Sequence, residues 1–248
     1  MMNCDIIQTM EKIEERFLEL VRFDEVVEKD VGLPLIGVDE AGRGPLAGPV
    51  VAVAVQVRKN PELIGVDDSK KLSVKERERI FGKIIEHSVY GVGISTVDEI
   101  DETNILEATR LAMRRALESL HGKNVRGFVV VDGRKMNLGF DEISVINGDG
   151  KSFSIACASI LAKVIRDRIM IGFSKIYPAY LFEKHKGYPT KEHIERLKIY
   201  GPTPFHRLSF KPVLRLIDDE TLRKWHKEGK LNPRRFERIK RKLREVWR

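Results

Sequence analysis

The sequence predicts an α/β fold with a mixed sheet of about five strands flanked by helices. The first observation is that valine-rich strand segments alternate with helical segments, which is typical of a mostly parallel sheet. The second is that the first two strand segments, at 35–39 and 49–57, are joined by a link too short for a parallel crossover. We therefore expect these two strands to form an antiparallel hairpin.

The predicted strands are short apolar runs. The run VVAVAVQV, within 49–57, is apolar and rich in β-branched residues, so we expect a buried strand there. Similar runs predict further strands at 89–95, 127–131 and 142–146. The run at 127–131 leads directly into an aspartate.

Each predicted helix has a local signal. The first, over 9–29, is expected to bury one stripe made of Ile13, Phe17, Leu20 and Val21. Ser73 followed by Glu76 is a capping box that predicts the start of a second helix, and Asn104 is expected to cap a third. Residues 152–176 begin with turns that are small and apolar nearly all round, which predicts a central, tightly packed helix. We expect loops and short helices after it.

The composition excludes several classes of protein. Hydrophobic residues make up 42% and charged residues 33% of the 248 positions, which excludes a disordered chain, a collagen-like chain and a disulfide scaffold. Cys4 and Cys157 are too few and too far apart for a disulfide framework or a CxxC metal site. The longest apolar run, 49–55, is far shorter than the roughly 18 residues of a membrane span. The acidic N-terminus is typical of neither a signal nor a transit peptide, so we expect a cytoplasmic protein, and a monomer because nothing indicates a coiled coil.

The positive charge is concentrated near the C-terminal end. The chain has a formal net charge of +8, whereas residues 221–248 alone carry twelve Lys or Arg and three Glu, a net of +9. This segment predicts a polyanionic partner, nucleic acid above all. The alternative is a solvated helix face, because Asn232-Pro233 is typical of a helix start and apolar residues recur at helical spacing. Those residues are Phe236, Ile239, Leu243 and Val246 or Trp247.

Four carboxylates lie where predicted strands or turns end. They are Asp39, Glu40, Asp132 and Asp149. Sites in open α/β sheets form at the carboxyl ends of strands, and converging carboxylates repel one another unless a cation lies between them. Oxygen ligands without Cys or His suit Mg²⁺ or Mn²⁺, and two such ions can act on a phosphodiester. The alternative for any single one is a turn residue or a helix cap.

The glycine-rich turn after the first strand has two interpretations. Gly42 and Gly44 would let backbone amides approach a phosphate or sugar closely. The same glycines, with Ala47, superficially match a dinucleotide-binding fingerprint. That fingerprint must open a helix, whereas this turn leads through Pro49 into a valine strand, so we reject it.

The order of motifs along the chain resembles bacterial ribonuclease HII. The resemblance covers about residues 35–215. It is carried by DEAGRGP at 39–45, DSKKLS at 68–73, VDG at 131–133, GDGKS at 148–152 with ASILAKVIRD at 158–167, HKGYPTKEH at 185–193 and GPTPFHRLSF at 201–210. These motifs are long, ordered and jointly specific.

The resemblance implies a ribonuclease H-like fold with a helical C-terminal part. With the parts outside the motifs, we expect three regions: an N-terminal helical extension (1–32), a ribonuclease H-like catalytic domain (33–215) and a basic helical C-terminal tail (216–248). The resemblance implies an endonuclease that hydrolyses the RNA strand of RNA–DNA hybrids. It also implies incision 5′ to single ribonucleotides embedded in duplex DNA, the reaction that starts ribonucleotide excision repair, leaving a 3′-hydroxyl and a 5′-phosphate.

The resemblance also assigns roles to residues. The family's metal-binding catalytic carboxylates correspond to the four selected above, Asp39, Glu40, Asp132 and Asp149, with two Mg²⁺ or Mn²⁺ ions expected when substrate is bound.

A second set of residues is implied for substrate binding. The family's element that contacts the ribonucleotide 2′-hydroxyl through backbone groups corresponds to Gly42, Arg43 and Gly44. Its junction-sensing tyrosine corresponds to Tyr188, and Lys70 is a candidate phosphate contact. The 2′-hydroxyl is the group that distinguishes a ribonucleotide from its deoxynucleotide neighbours.

A purely structural role is the alternative for each of these substrate-binding candidates. Arg43 and Lys70 could be partners in ion pairs, and Tyr188 could belong to the core. The histidines fit no common zinc pattern, so we expect structural or phosphate-side roles for His185, His193 and His206.

Two other classes of function compete with a metal-dependent ribonuclease. A non-catalytic nucleic-acid-binding module would explain the basic tail, but acidic groups at strand ends would repel its polyanionic ligand. A junction resolvase of the same fold would explain the carboxylates, but its substrate has no 2′-hydroxyl for the glycine turn to contact.

Overall fold

The structure, a computed structural model, describes residues 4–246. Trp247 and the side chain of Val246, which the sequence suggested as contacts of the last helix, lie outside the described residues. The outermost residues of the predicted N-terminal extension and C-terminal tail lie outside them as well. Among residues 4–246, no helix combines the length and the apolar character needed to cross a membrane.

A mixed five-stranded sheet forms the centre of the fold. Its strands are Leu35–Ala41 (β1), Val50–Val57 (β2), Ser88–Ser95 (β3), Phe128–Asp132 (β4) and Glu142–Val145 (β5). Their order in the sheet is β3-β2-β1-β4-β5. β1 pairs antiparallel with β2 and parallel with β4, and β4 pairs parallel with β5. The predicted hairpin and the predicted mixed sheet are confirmed.

Helices flank or follow these strands. They are Cys4–Val31 (α1), Val74–Glu86 (α2), Val97–Glu102 (α3), Ile105–His121 (α4), Phe153–Ile176 (α5), Phe182–His185 (α6), Lys191–Tyr200 (α7), Lys211–Leu214 (α8), Asp219–Lys227 (α9) and Pro233–Val246 (α10). Short 3-10 helices lie at Pro61–Leu63, Gly148–Gly150 and Pro178–Tyr180.

Three of the predicted helix starts are confirmed by their hydrogen bonds, whereas the first helix, predicted over 9–29, extends over Cys4–Val31. The hydroxyl of Ser73 accepts from the backbone of Glu76 at 3.2 Å, and the Glu76 carboxylate accepts from the backbone of Ser73 at 3.0 Å. The Asn104 side chain accepts from two amides in the first turn of α4. Asn232 accepts from the amide of Arg235 and so caps α10.

The structure corrects two expectations about helices. Ile13 is 41% exposed and lies outside the buried stripe of α1, which consists of Phe17, Leu20 and Val21. The sequence interpretation also missed α3, because this helix has only six residues. The capping box formed by Thr96 and Glu99 could have revealed it.

The chain forms two compact units. The first comprises Met1–Ala41, Val51–Ile94 and Arg110–Val164. One cluster of its core consists of Leu35, Val130 and Ile155, with partly buried Val27, Val31, Phe128 and Val145 packed against it. A Cβ atom on Gly37 would collide with the backbone of Ser154, so glycine is needed where the start of α5 lies against β1.

The second unit comprises Gly42–Val50, Ser95–Thr109 and Ile165–Arg248. Its core includes Leu46, Phe182, Leu208 and Leu222 and also the apolar face of α10, namely Phe236, Ile239 and Leu243. The predicted docking of the tail helix by this face is confirmed. The division into an extension, a catalytic domain and a tail stays a prediction.

Candidate active site

Two of the predicted carboxylates lie at neighbouring strand ends in the first unit. Val38 on β1 is level with Val131 on β4, so Asp39 and Asp132 are the next residues on two parallel neighbours. The Asp39 carboxylate is 5% exposed and accepts a hydrogen bond from the backbone of Glu40 at 2.7 Å. Valine-rich strands thus bring two acidic groups to one edge of the sheet, as the sequence predicts.

The third carboxylate, Asp149, lies in the 3-10 turn between β5 and α5. This turn begins at Asn147, which has a left-handed backbone conformation with φ of 55°. The next residue, Gly148, donates its N–H to the carboxylate of Asp132 at 2.6 Å. The turn that carries Asp149 is therefore fastened to the end of β4, and Asp149 itself is 5% exposed.

The three aspartates form one cluster. Carboxylate oxygens of Asp39, Asp132 and Asp149 all lie within 4.8 Å of one another. Burial raises the pKa of Asp39 well above its ordinary value, and the charges of Glu40 and Asp132 raise it further. Burial likewise raises the pKa of Asp132, and the charge of Asp149 adds to this effect. Crowded, desolvated carboxylates with raised pKa values fit a divalent cation, which would relieve their repulsion.

Glu40 lies beside this cluster but is not one of its three members. It is half-buried, and its charge contributes to the raised pKa of Asp39. Its role as a fourth metal ligand stays a prediction.

Lys70 neutralises part of this acidic cluster. Its ammonium group donates to the Asp149 carboxylate at 2.7 Å and lies 3.6 Å from a carboxylate oxygen of Asp68. Burial lowers the pKa of Lys70, but the hydrogen bond and charge of Asp149 outweigh it, so the pKa is raised. The Lys70 side chain is 74% exposed. It forms the ion pair suggested as an alternative and is also accessible to an anionic ligand.

The glycine turn belongs to the second unit and is held by a buried arginine. The Arg207 side chain, which is 0% exposed, donates five hydrogen bonds to carbonyl groups of this turn. The acceptors are Gly42 at 2.5 Å, Arg43 at 2.9 Å, Pro45 at 2.8 Å, Gly48 at 2.9 Å and Pro49 at 3.3 Å. These bonds fix the orientation of the peptide groups around Gly42, Arg43 and Gly44.

A second buried arginine, Arg166, holds the same turn and the loop that carries Tyr188. It donates to carbonyl groups of Ala47, Pro49 and Lys186, at 3.2, 3.0 and 3.1 Å respectively. Burial lowers the pKa of Arg166. A Cβ atom on Gly42, where φ is +103°, would collide with the Arg166 side chain. Glycine is required at this position for both reasons.

Tyr188 lies against the glycine turn. A Cβ atom on Gly44 would lie 3.6 Å from the tyrosine ring, so the bare glycine faces that ring. Tyr188 is 38% exposed, which is too open for a core residue. The structure therefore brings together the glycine turn and Tyr188, two of the predicted substrate-binding elements, within the second unit.

Three histidines support the loop of Tyr188 through hydrogen bonds. The amide of Gly187 donates to Nδ1 of His185 at 3.2 Å, which leaves Nε2 of that ring to donate to the carbonyl of Tyr180 at 2.8 Å. The amide of Thr203 donates to Nδ1 of His206 at 3.0 Å. His206 must then donate from Nε2 to His193 at 3.2 Å, and His193 from Nδ1 to the carbonyl of Tyr188 at 2.9 Å.

This chain of donors requires neutral imidazoles. Burial lowers the pKa of His193 to about 4, that of His206 well below its ordinary value, and that of His185 in the same direction. The nitrogen atoms are used in hydrogen bonds to the backbone and between rings. This arrangement agrees with the structural role that the sequence predicts for the three residues.

Sequence reasoning missed the residues that hold the site in place. Arg207 lies in one of the motifs, but nothing local shows that it reaches the carbonyl of Gly42, 165 residues away. Asp24 is also buried, and it lies in a helix to which the motifs assign no role.

Comparisons with known proteins agree on one family. A family model described as ribonuclease HII matches residues 36–213. Ribonuclease HII of Thermotoga maritima is 50% identical over 216 residues, which cover 87% of this chain and 89% of that protein. The ribonuclease H2 structure from Pyrococcus horikoshii OT3 is 30% identical with a TM-score of 0.62, over 77% of this chain and 99% of that one. Bst-RNase HIII, solved in complex with Mn²⁺, is 18% identical with a TM-score of 0.60, covers 73% of this chain and 68% of that one, and shows the shared fold.

Proposed function

The chain belongs to the ribonuclease HII family, endonucleases that cleave the RNA of RNA–DNA hybrids, and from this premise we propose that it also incises duplex DNA 5′ to single embedded ribonucleotides. The products would carry a 3′-hydroxyl and a 5′-phosphate. We propose that the reaction uses two divalent ions, Mg²⁺ or Mn²⁺.

The observation that carries the proposal is the cluster of three aspartates. Their oxygens lie within 4.8 Å of one another at the carboxyl ends of parallel strands, where burial already raises the pKa of Asp39 and Asp132. In a protein that only binds nucleic acid, such a cluster would repel the phosphates. With cations between the carboxylates and the phosphate, the same cluster attracts them.

We propose that Asp39, Glu40, Asp132 and Asp149 hold the ions. Bound there, the ions would supply Lewis-acid chemistry, activating the attacking water and stabilising charge on the leaving 3′-oxygen. The contribution of the chain is to fix the ligands. Asp39 is oriented by the amide of Glu40, and Asp132 by the amide of Gly148.

We propose that Lys70 interacts with the carboxylates of the cluster and with a substrate phosphate. Its ammonium pairs with Asp149 at 2.7 Å and is exposed, so it can turn from this carboxylate to a substrate phosphate once cations occupy the cluster. A lysine on a phosphate positions the backbone without specifying a base.

We propose that residues of the second unit recognise the ribonucleotide. The Gly42-Arg43-Gly44 turn would contact the 2′-hydroxyl through backbone groups, and Tyr188 would stack against the next sugar. This assignment is supported by the five hydrogen bonds from Arg207, which leave the carbonyl groups of Gly42 and Arg43 occupied and their orientation fixed.

We also propose a cytoplasmic location, a monomeric state, the three regions with the boundaries given above, and a contact between the basic tail and nucleic acid.

The proposal is tested by a strand-cleavage assay on three duplexes: one with a single ribonucleotide, one with an RNA strand, and one of DNA only. Cleavage 5′ to the single ribonucleotide in Mg²⁺ or Mn²⁺, with none in chelator and none of the DNA duplex, is expected. Cleavage of the RNA–DNA hybrid alone would refute the proposed incision at single ribonucleotides.

A further inference from the structure

Helix α1 contacts the segment that carries Asp149. It ends at Val31, before residue 36, where the match to the family model begins. Three of its side chains contact residues 150–154, which run from the turn of Asp149 into α5. We propose that α1 is a positioning element for the metal site, in which Arg16 and Asp24 hold the Asp149 segment in place. This inference rests on the proposed function of the aspartate cluster.

Asp24 is the first anchor. Its side chain is 0% exposed, and its two carboxylate oxygens accept three hydrogen bonds from the start of α5. Oδ1 accepts from the hydroxyl of Ser152 at 2.6 Å, and Oδ2 accepts from the amide and the hydroxyl of Ser154 at 2.8 and 2.7 Å. Asp24 therefore caps the N-terminus of α5 from another helix, where a negative charge also interacts favourably with the helix dipole.

Arg16 is the second anchor, and it joins two loops. Its guanidinium donates to the carbonyl of Gly150 at 2.6 Å and to the carboxylate of Asp67 at 3.2 Å. The Arg16 side chain thus binds both Gly150, which follows Asp149, and Asp67, which lies three residues before Lys70. Because Lys70 and Asp149 form an ion pair, Arg16 supports both partners.

These contacts leave the backbone around Asp149 little freedom. The residue before it, Gly148, donates to Asp132, and the residue after it, Gly150, accepts from Arg16. The ring of Phe17 also packs edge-on against Phe153 at a centroid distance of 5.4 Å. Groups that orient metal ligands commonly change metal affinity or activity when they are lost. Helix α1 supplies such groups from outside the region matched by the family model.

The test compares two pairs of variants on α1. Asp24→Asn keeps the shape but replaces an acceptor oxygen by a donor, and Glu28→Gln is its control. Glu28 accepts from the backbone of Leu35 and pairs with Lys59, so it holds α1 to the fold without contacting the Asp149 segment. Arg16→Gln removes the link to Gly150, and its control is Arg22→Gln at an exposed position of the same helix.

Three measurements are made on each full-length variant. Hydrogen–deuterium exchange of the metal-free protein reports the mobility of residues 147–154 and needs no catalysis. Calorimetric titration with Mn²⁺ gives the dissociation constant, and cleavage of the single-ribonucleotide duplex gives the metal midpoint, kcat and KM. For Asp24→Asn and Arg16→Gln we expect faster exchange confined to 147–154 and a Mn²⁺ dissociation constant raised by about 10-fold. KM for the nucleic acid should stay unchanged in Asp24→Asn, because among the described residues Asp24 bonds only to Ser152 and Ser154.

Two results would overturn the inference. One is a dissociation constant equal to that of the wild type in both variants. The other is an equal rise in Glu28→Gln, which would mean that α1 only stabilises the fold. If the wild type cleaves no ribonucleotide-containing duplex, the proposed function fails. In that case the 10-fold change in Mn²⁺ affinity must still appear for the positioning role of α1 to hold.

Discussion

Replacement of Arg207 by lysine tests how the glycine turn is held. Arg207 donates five hydrogen bonds to buried carbonyl groups, whereas a lysine donates at most three from one nitrogen. At least two of these bonds are then lost. Because Pro49 also accepts from Arg166, at least one carbonyl group is left without a partner. Each unsatisfied buried acceptor costs about 1–3 kcal/mol, so we expect the free energy of unfolding to fall by at least about 1–3 kcal/mol.

A matched control separates this loss of stability from an effect on the site. Arg235 is also an arginine of the second unit and 1% exposed. It pairs with Asp98 and Asp101 at 2.7 and 2.8 Å and donates to the carbonyl groups of Pro204 and His206. Arg235→Lys should destabilise the protein to a similar degree, because it too removes donors from buried acceptors, but its partners lie outside the glycine turn.

Both variants are assayed below their melting temperatures on the single-ribonucleotide duplex. With Arg207→Lys we expect kcat/KM to fall by about 10- to 100-fold, because one or two backbone contacts worth about 1–1.5 kcal/mol each are misplaced. With Arg235→Lys, kcat/KM should stay within about threefold of the wild type, since well below the melting temperature nearly all molecules of a destabilised variant are still folded. Equal losses in the two variants, or wild-type activity in Arg207→Lys, would show that Arg207 does not hold the glycine turn in its active geometry.

Three further predictions concern other parts of the molecule. Asp132→Asn should retain binding of the RNA–DNA hybrid in a gel-shift assay but lose cleavage by more than about 100-fold, and undiminished cleavage would remove Asp132 from the mechanism. Burial lowers the pKa of His193 to about 4, below the unfolded value of 6.5, so stability is complete above pH 6.5 and decreases as the pH falls toward 4. Urea unfolding between pH 7 and 4.5 should show this loss, up to about 3 kcal/mol from His193 at full protonation. His193→Gln should lose that part of the pH dependence and keep the part due to His185 and His206; curves parallel to the wild type would contradict the assignment. Replacing Arg241, Lys242 and Arg244 of α10 by glutamine leaves the buried face of this helix intact. It should raise KM for the nucleic acid and reduce the slope of log binding constant against log salt concentration by up to about 3. An unchanged slope would favour the alternative that this helix face is merely solvated.

The sheet and the carboxylate cluster were predictable because their signals are local. Runs such as VVAVAVQV identify strands, and aspartates directly after such runs fall at strand ends. The parallel pairing of β1 and β4 then brings Asp39 and Asp132 level with each other. The antiparallel pairing of β1 and β2 was predictable as well, because the link between them is too short for a parallel crossover.

The supporting residues were not predictable in the same way. Arg207 and Asp24 act through contacts with residues more than a hundred positions away, 165 in the bond to Gly42 and 130 in the bond to Ser154. No periodicity or spacing encodes such partners. The histidine hydrogen bonds depend on which ring nitrogen carries the proton, and that follows only from the backbone donors of Gly187 and Thr203.

The proposed function is tested most directly by cleavage of a labelled DNA duplex that contains one ribonucleotide, with Mg²⁺, with Mn²⁺ and with chelator, beside the same duplex without the ribonucleotide. It predicts a single cut 5′ to the ribonucleotide only when a divalent ion is present, and none in the DNA control. Binding without any cut, in either metal, would contradict it and would make the four carboxylates structural.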